Sequence, residues 1–349
     1  MPTAKIARAW SLKPDPSEYL GMTLGQAPVS PLTRLAPSPT GAFHLGNART
    51  FLINYLLARR EGWRILLRVE DLDGPRVKAG ADRAGIDDLR WLGIAWDDGP
   101  VYQAHRAAEY RAAAERLVAA RLAYPCVCSR REVELAASAP HAEDGAAVYP
   151  GTCRGRFASI EEARAAAGRE PAIRFRVLPG PISFDDRFAG PVTYPDPPKQ
   201  LGDFVVLKND GTAAYQLAVV HDDALAGVTH VVRGDDLVDS TPRQILLYRA
   251  LGWADRIPQY FHLPLVTGPD GRRLAKRHGD TRLSHYRQAG VPAARMLALL
   301  ARWSGIDAGD EIDMPKLLDK FDLARVPRTP IAFSADDDRW LRAGARPPS

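Results

Sequence analysis

The chain has 349 residues, of which 46% are hydrophobic and 26% charged, which excludes global disorder and allows a sizeable core and more than one domain. A formal net charge of +5 suits a polyanionic partner, although many basic proteins bind no nucleic acid. The odd number of three cysteines argues against a disulfide framework. There is no apolar run long enough for a membrane span, and the N-terminus is unlike a signal peptide, so we expect a cytoplasmic protein.

The first part of the chain has a pattern that predicts a parallel sheet. Residues 1–31 carry scattered Pro and Gly and are predicted to form a loosely ordered extension. An apolar strand over residues 32–36 runs into the turn-rich string PSPTG, and a helix over 47–60 is followed by a strand over 64–69. Such a strand–loop–helix–strand unit favours parallel strands joined by right-handed crossovers.

The remainder of the chain alternates helical patterns with short strands. Helices are predicted over 83–92 and 107–120. Between 172 and 220 the runs AIRFRV, DFVVLK and YQLAVV are of β type and are separated by turn signals. The C-terminal part is helical, most clearly over 293–303, and the polar tail beyond Ser334 is expected to fray.

The first chemical motif joins the first predicted strand to the helix that follows it. It reads RLAPSPTGAFHLGN from Arg34 to Asn47. At such a junction, free backbone N–H groups and the positive end of the helix dipole suit an anion such as a triphosphate. Gly46 permits close backbone approach, and His44 can donate to phosphate oxygens. Taken alone, the HLG string would be an ordinary tight turn with a surface histidine.

The full motif resembles that of the glutamyl subgroup of class I aminoacyl-tRNA synthetases, which has the form R-x-A-P-S-P-T-G-x-x-H-x-G. The string HLGN occupies the place of the HIGH motif, with Asn47 in the position of its second His, a departure common in this subgroup. The resemblance implies that His44, Gly46 and Asn47 bind ATP and that His44 is catalytic. The glutamate-binding residues that it implies in this motif are Arg34, Leu35, Ala36, Pro37 and Ser38.

Three further strings fit the same subgroup. Glu70 lies in RVEDLD, directly after a strand, where parallel sheets bind ligands, and the resemblance implies that it faces the α-amino group of glutamate. Tyr215 opens YQLAVVHDD, and Arg233 lies in VVRGDDL. An acidic substrate needs fixed positive partners, and an arginine offers a bidentate fork to a carboxylate. The resemblance implies that Tyr215 and Arg233 bind glutamate, but whether Arg34 or Arg233 takes the side-chain carboxylate stays open.

A basic loop, RRLAKRHGD, follows the PDG turn at 269–271. Its position matches the KMSKS motif of the class, which implies that Lys276 is catalytic and contacts the phosphates of ATP. A mobile positive loop suits the neutralisation of leaving pyrophosphate. Arg273 replaces the first lysine of the motif, and Ala275 replaces its serine, with the loss of a hydroxyl donor. Without the resemblance, this string would be a solvated basic loop.

The cysteines lie close together in the sequence, as Cys126-Val-Cys128 and as the last residue of Tyr149-Pro-Gly-Thr-Cys153. Three thiolates and one further N or O donor can form a tetrahedral structural zinc site, and three unrelated buried thiols are the alternative. On chemistry alone, Tyr149 and His141 are both candidates for the fourth ligand. The spacing resembles that of the truncated glutamyl-queuosine tRNA(Asp) synthetases, which implies one structural zinc ion. Its ligands would be Cys126, Cys128, Tyr149 and Cys153.

The resemblance covers about residues 32–333 and implies an α/β fold with the Rossmann-type parallel-sheet catalytic domain of the class I synthetases. A zinc-containing insert and a short C-terminal helical piece complete it. Fewer than eighty residues follow the KMSKS-like lysine, so we expect no anticodon-binding domain. The expected segments are an extension (1–31), two catalytic halves (32–123 and 172–283), the zinc insert (124–171), a stem-contact-like helical piece (284–333) and a tail (334–349).

The expected reaction has two steps. The α-carboxylate of L-glutamate attacks ATP, supplied with Mg²⁺, to give glutamyl-adenylate without the help of tRNA. The acyl group then passes to the queuosine base in the anticodon of tRNA(Asp). We expect these partners, no membrane and a monomer, although no motif addresses the oligomeric state. A short glutamyl-tRNA synthetase that charges the 3′ end of tRNA(Glu) and a catalytically silent zinc-containing RNA-binding paralogue remain as alternatives.

Overall fold

The structure, a computed structural model, describes residues 30–39, 43–129, 131–133, 148–272, 274 and 280–345. The predictions made for the extension over residues 1–29, for His141, and for Arg273, Ala275 and Lys276 of the basic loop lie outside these ranges.

Within the described residues, strands and helices alternate along most of the chain. The strands are β1 (Leu32–Leu35), β2 (Arg64–Val69), β3 (Asp98–Tyr102), β4 (Ala123–Cys126), β5 (Ala172–Phe175), β6 (Ile182–Asp186), β7 (Gly190–Tyr194), β8 (Phe204–Leu207), β9 (His230–Gly234), β10 (Gln259–Leu263), β11 (Val266–Thr267) and β12 (Ile331–Ala332). The helices are α1 (Leu45–Arg60), α2 (Ala81–Trp91), α3 (Ala107–Ala119), α4 (Ile160–Ala167), α5 (Pro197–Gln200), α6 (Tyr215–Ala226), α7 (Ser240–Ala250), α8 (Leu283–Gln288), α9 (Ala293–Arg302), α10 (Met314–Lys320) and α11 (Ala335–Ala343).

Parallel strands form the centre of the fold. β1, β2 and β3 pair in parallel in that order, and β9 pairs in parallel with β10. The two ladders adjoin, because the backbone N–H of Thr229 donates to the carbonyl oxygen of Leu32 at 2.9 Å. The predicted α/β fold with a parallel sheet is confirmed, as are the predicted helices over 47–60, 83–92, 107–120 and 293–303 to within two residues at each end.

Helix α1 connects this sheet to the C-terminal helices. Its inner face, including Leu52, Ile53 and Leu56, is fully buried, and burial of each such side chain contributes about 1.5–3 kcal/mol. Arg49 on the same helix is also buried and donates to the carbonyl oxygens of Trp303 (3.1 Å) and Pro264 (2.7 Å). Burial lowers the pKa of Arg49 to about 10, against the opposing effect of Asp235. The helix that carries the HLGN string is therefore held from both sides.

A second, antiparallel group of strands follows the first half of the sheet. β4, β5 and β8 form a sheet in that order, and β6 pairs with β7 as a hairpin. Buried Asp203 accepts hydrogen bonds from the hydroxyl of Tyr124 (2.5 Å), Nε of Arg154 (2.8 Å) and the backbone N–H of Val177 (2.8 Å). This carboxylate therefore ties the strands to the segment that carries the last cysteine.

The β-type interpretation of YQLAVV is wrong, because these residues open helix α6. Eight consecutive residues of this helix, 217–224, are buried, so it shows no polar face from which a helical period could be recognised. Gly227, in the left-handed conformation with φ 74°, ends the helix.

The expectation of a frayed tail beyond Ser334 is also wrong for the described residues. The hydroxyl of Ser334 accepts from the backbone N–H of Asp337 at 3.1 Å, and the Asp337 carboxylate accepts from the Ser334 N–H at 2.9 Å. This capping box starts α11, whose Leu341 is fully buried. No helix among the described residues has the length and apolar character needed to cross a bilayer.

Candidate active site

A cavity of about 190 Å³ lies at the carboxyl ends of β1, β2 and β9. Side chains that end parallel strands meet at one edge of a sheet, which explains why strings far apart in the sequence converge there. The cavity is lined by eight of the residues singled out from the sequence. They are Arg34, Ala36, His44, Gly46, Asn47, Glu70, Tyr215 and Arg233.

The other residues of the first motif lie elsewhere. Pro37 and Ser38 line an adjoining cavity of about 540 Å³, whereas the side chain of Leu35 is fully buried in the hydrophobic core. The residues shared by the two cavities are Ala36, His44, Asn47 and Phe51.

His44 caps the first turn of α1. Its Nδ1 accepts from the backbone N–H groups of Gly46 (3.2 Å) and Asn47 (3.4 Å), and Oδ1 of Asn47 accepts from the His44 N–H at 3.4 Å. A neutral imidazole whose Nδ1 accepts carries its proton on Nε2. A Cβ at position 46 would approach the His44 ring to 3.1 Å, so a larger residue there would press on the ring. The HLGN string therefore fixes both the orientation and the tautomer of the imidazole.

Two arginines, Arg34 in the cavity lining and Arg68 behind it, depend on one carboxylate of α6. Arg34 and Arg68 are buried, and Asp223 pairs with both, at 3.5 Å from Nε of Arg34 and through a hydrogen bond from Nη1 of Arg68. Nη2 of Arg68 donates to Oε1 of Glu70 at 3.0 Å. Burial raises the pKa of Glu70, against the opposing effects of Arg68 and Arg34. Because a buried cation without a partner costs several kcal/mol, Asp223 is what permits this arrangement.

Arg233 is held by a separate set of partners. Its Nε donates to Nε2 of His262 at 3.0 Å, and its Nη1 donates to Oε1 of Gln244 at 3.0 Å. Its Nη2 donates to Oγ1 of Thr241 (2.8 Å) and to the carbonyl oxygen of Leu237 (3.3 Å). Four of the five N–H groups of the guanidinium are thus bonded to protein, so its orientation is set before any ligand arrives.

The sequence reasoning missed the residues that hold these arginines. Asp223 lies within the quoted string YQLAVVHDD, and Arg68, which it holds, lies within RVEDLD, but neither was singled out. His262 and Asp186 gave no local signal, because they come from β10 and β6.

The cysteines meet in one cluster. The Sγ atoms of Cys126, Cys128 and Cys153 lie within 4.8 Å of one another, with 3.5 Å between those of Cys128 and Cys153. The hydroxyl of Tyr149 lies 3.4 Å from the sulfurs of both Cys126 and Cys128. A tetrahedral ion with metal–sulfur bonds of about 2.3 Å places its sulfur ligands roughly 3.8 Å apart. These residues therefore could hold a metal ion.

The thiols of the cluster differ in how readily they lose a proton. Burial opposes ionisation of Cys153, but hydrogen bonds, first of all from the Val127 N–H, lower its pKa. Burial raises the pKa of the Cys128 thiol to about 11, so deprotonation at neutral pH requires a nearby cation. Arg174 supplies one from outside, with Nε 3.2 Å from Sγ of Cys126 and its guanidinium 3.9 Å from the centre of the Tyr149 ring. Three thiolates would still carry excess negative charge, which a dication would offset.

Comparison with known proteins places the chain in a family. The family model described as tRNA synthetases class I (E and Q), catalytic domain, matches residues 31–337. The glutamyl-Q tRNA(Asp) synthetase of Symbiobacterium thermophilum is 49% identical over 322 residues, which cover 89% of this chain and 98% of that protein. The glutamate–tRNA ligase of a Synechococcus species is 41% identical over 321 residues, which cover 90% of this chain but 66% of that ligase.

Among solved structures, the chain is similar to a glutamate tRNA ligase from Elizabethkingia meningosepticum in complex with its amino acid. The TM-score is 0.75 at 29% identity, over 90% of this chain and 69% of that one. The chain therefore belongs to the class I tRNA synthetases of the E and Q type and is a ligase of the aminoacyl-tRNA synthetase kind.

Proposed function

We propose that this protein activates glutamate with ATP, without tRNA, and transfers the glutamyl group to the queuosine base in the anticodon of tRNA(Asp). The observation that carries the first step is the single cavity in which Arg34, Glu70, Tyr215 and Arg233 meet beside the capped His44. The acceptor is supported by 49% identity over 98% of a glutamyl-Q tRNA(Asp) synthetase. It is also supported by the Cys-x-Cys and Tyr-x-x-x-Cys donor pattern.

The cavity suits an amino acid with two carboxylates. Arg34 and Arg233 present guanidinium groups for them. Asp223 balances the charge of Arg34 from outside the cavity lining, whereas neutral acceptors such as His262 and Gln244 orient Arg233. Glu70 would accept from the α-ammonium group, and the hydroxyl of Tyr215 adds a neutral hydrogen bond. Preorganised arginines bind an anion without first reorganising, which favours both affinity and correct placement.

Activation joins a carboxylate oxygen of glutamate to the α-phosphorus of ATP and releases pyrophosphate. The protonated Nε2 of His44 and the N-terminal end of α1 would stabilise charge on the phosphates. Lys276 of the basic loop would neutralise the departing pyrophosphate, and Mg²⁺ would enter with the nucleotide. In the second step a hydroxyl of the queuosine ring attacks the acyl carbon, loses its proton and displaces AMP. Neither step requires a side-chain nucleophile.

We also propose that the metal held by the cysteine cluster is one structural zinc ion. Cys126, Cys128 and Cys153 would bind it as thiolates, with the oxygen of Tyr149 as the fourth ligand. The sulfur-rich donor set favours zinc over magnesium or calcium, which prefer oxygen ligands. Bound there, zinc would supply structural cross-linking of the insert rather than chemistry at the cavity.

Glutamate-dependent exchange between ATP and pyrophosphate should occur without any tRNA. The cavity is assembled from protein groups alone, so no RNA is needed to complete it. His44→Ala should lower the exchange rate by at least about a hundredfold, since charge stabilisation at the reacting phosphate is lost. The exposed His105 provides a matched control, and His105→Ala should exchange normally. Exchange that appears only after tRNA is added would contradict this prediction, and no exchange at all would favour the silent paralogue.

Arg233→Ala should raise the KM for glutamate by roughly a hundredfold or more while leaving the KM for ATP within about threefold. Removal of one partner from a buried charge pair costs about 3–5 kcal/mol, and the phosphates lie at the other end of the site. Arg249→Ala, the same change at an exposed position of α7, is the control. Steady-state exchange kinetics give both constants, and an unchanged KM for glutamate would place Arg233 outside the binding site.

Protein purified without chelators should contain about one zinc ion per chain, measured by elemental analysis. Cys153→Ser should lose the metal and lower the melting temperature, because metal binding contributes folding free energy. Thr152→Ala, a change in the neighbouring exposed residue, should keep the metal and leave the melting temperature unaltered. Tyr149→Phe removes only the oxygen donor and should weaken zinc retention against a chelator. Absence of zinc from the unaltered protein would refute the site.

Labelled glutamate should be recovered in an anticodon fragment after nuclease digestion of tRNA(Asp). The label should be absent when the tRNA lacks queuosine, because the accepting hydroxyls belong to that base. An ester to the 3′-terminal ribose would appear on the terminal adenosine instead. That result, above all with tRNA(Glu), would support the short glutamyl-tRNA synthetase in place of this proposal.

A further inference from the structure

Behind Arg233, on the side away from the cavity lining, lies a fully buried histidine–aspartate pair. Nδ1 of His262 is 2.6 Å from Oδ2 of Asp186, and Nε2 of His262 accepts from Nε of Arg233 at 3.0 Å. Neither His262 nor Asp186 is among the residues that line the cavity. The three side chains form a continuous hydrogen-bonded line that runs from the β6–β7 hairpin to the proposed glutamate site.

The geometry defines which nitrogen of His262 carries the proton. Asp186 is an acceptor, so it requires the proton on Nδ1, whereas Arg233 is a donor and requires a lone pair on Nε2. The hydroxyl of Thr241, 3.3 Å from Nε2, can donate to the same lone pair while accepting from Arg233. Burial lowers the pKa of His262, and Arg233 acts in the same direction against the opposing effect of Asp186. A neutral imidazole with Nδ1–H satisfies every contact.

Asp186 is itself fixed by the turn of the hairpin. Its Oδ1 accepts from the backbone N–H groups of Phe188 (2.9 Å) and Ala189 (2.6 Å), and its carboxylate accepts from the His262 N–H at 3.2 Å. Among the described contacts, every partner of this carboxylate is a hydrogen-bond donor. Replacing one of its oxygens by an N–H donor would therefore set two donors against each other. The hairpin thereby dictates the tautomer of His262.

We propose that Asp186 and His262 are positioning residues for glutamate binding, which they support by holding Nε of Arg233 through one defined tautomer. This inference rests on the proposed function, since it assigns the two residues to the same glutamate site. An apolar pair of similar volume would fill the space without the desolvation cost of a buried carboxylate. A chain of oriented donors and acceptors, by contrast, specifies the direction of the guanidinium group and of its remaining N–H on Nη1, which a carboxylate ligand requires.

The sharpest test is Asp186→Asn, which is nearly isosteric but replaces one acceptor by a donor. If Oδ1 keeps its backbone donors, the new amide N–H points at Nδ1 of His262 and moves the imidazole proton to Nε2. That proton then faces the N–H of Arg233. We expect the KM for glutamate in ATP–pyrophosphate exchange to rise roughly ten- to a hundredfold, the range for one misaligned buried hydrogen bond of a charged group. The kcat and the KM for ATP should stay within about threefold of the unaltered enzyme.

Two further variants separate positioning from general destabilisation. His262→Gln keeps an acceptor that can face Arg233, so the KM for glutamate of this variant should stay within about threefold of that of the unaltered enzyme. The double variant that also carries Asp186→Asn should differ little from His262→Gln. Asp185→Asn changes the exposed neighbouring aspartate and should leave all constants unaltered. Nitrogen NMR of labelled histidine should report protonated Nδ1 in the unaltered protein and protonated Nε2 in Asp186→Asn.

The outcomes distinguish this inference from the proposed function. One result would show that the pair is merely structural and would overturn the inference: Asp186→Asn raises the KM for glutamate by the same factor in the unaltered protein and in His262→Gln. A change in the melting temperature alone would lead to the same conclusion. Unaltered glutamate kinetics in Asp186→Asn would overturn it as well, while leaving the proposed function intact. If calorimetry shows no glutamate binding to the unaltered protein, both fail together.

Discussion

Burial of guanidinium groups at one edge of a parallel sheet is the constraint on which the rest of this structure depends. Arg34, Arg68 and Arg233 are all at most 5% exposed, and a cation removed from water is tolerated only beside a partner. Asp223 of α6 serves the first two, and the His262–Asp186 pair serves the third. The partners of the buried arginines thus come from α6, β10 and the β6–β7 hairpin, which pack near the carboxyl ends of β1, β2 and β9.

The two ends of the candidate site differ in the source of their positive potential. At the end proposed for the amino acid, fixed side-chain charges are oriented by hydrogen bonds, which would suit a small ligand that carries carboxylates. At the end proposed for the nucleotide, charge stabilisation would come from the start of α1, where His44 and Asn47 form a reciprocal cap. Helix dipoles and backbone N–H groups suit a triphosphate because they act on several oxygens at once. Arg49, buried beneath the same helix, keeps that end attached to the C-terminal helices.

At the cysteine cluster the hydrophobic core is small, and the metal ion proposed there would supplement it. Four buried residues, Tyr124, Cys126, Tyr149 and Cys153, make up its hydrophobic core, which offers little area for burial. Asp203 adds cross-strand hydrogen bonds, and a bound ion would add the cross-link that apolar packing cannot provide. The donors come from both ends of the segment, so ion binding and folding of the segment would be coupled.

Much of the chemistry was visible in the sequence by itself. The β1–α1–β2 unit and the clustering of the cysteines were predicted because each depends on short-range order, such as turn residues, apolar periodicity and motif spacing. Eight of the residues that line the cavity were named from the resemblance of their strings to a known family. The contacts that hold the arginines around the cavity were decided only by the tertiary structure. Arg68 and Asp223 are 155 positions apart, and Asp186 and His262 are 76 apart; no local pattern links such pairs. Helix α6 was interpreted as a strand because its residues 217–224 are all buried, so the sequence lacks the exposed polar positions that mark a helix. The packing that buries these residues is a property of the folded chain.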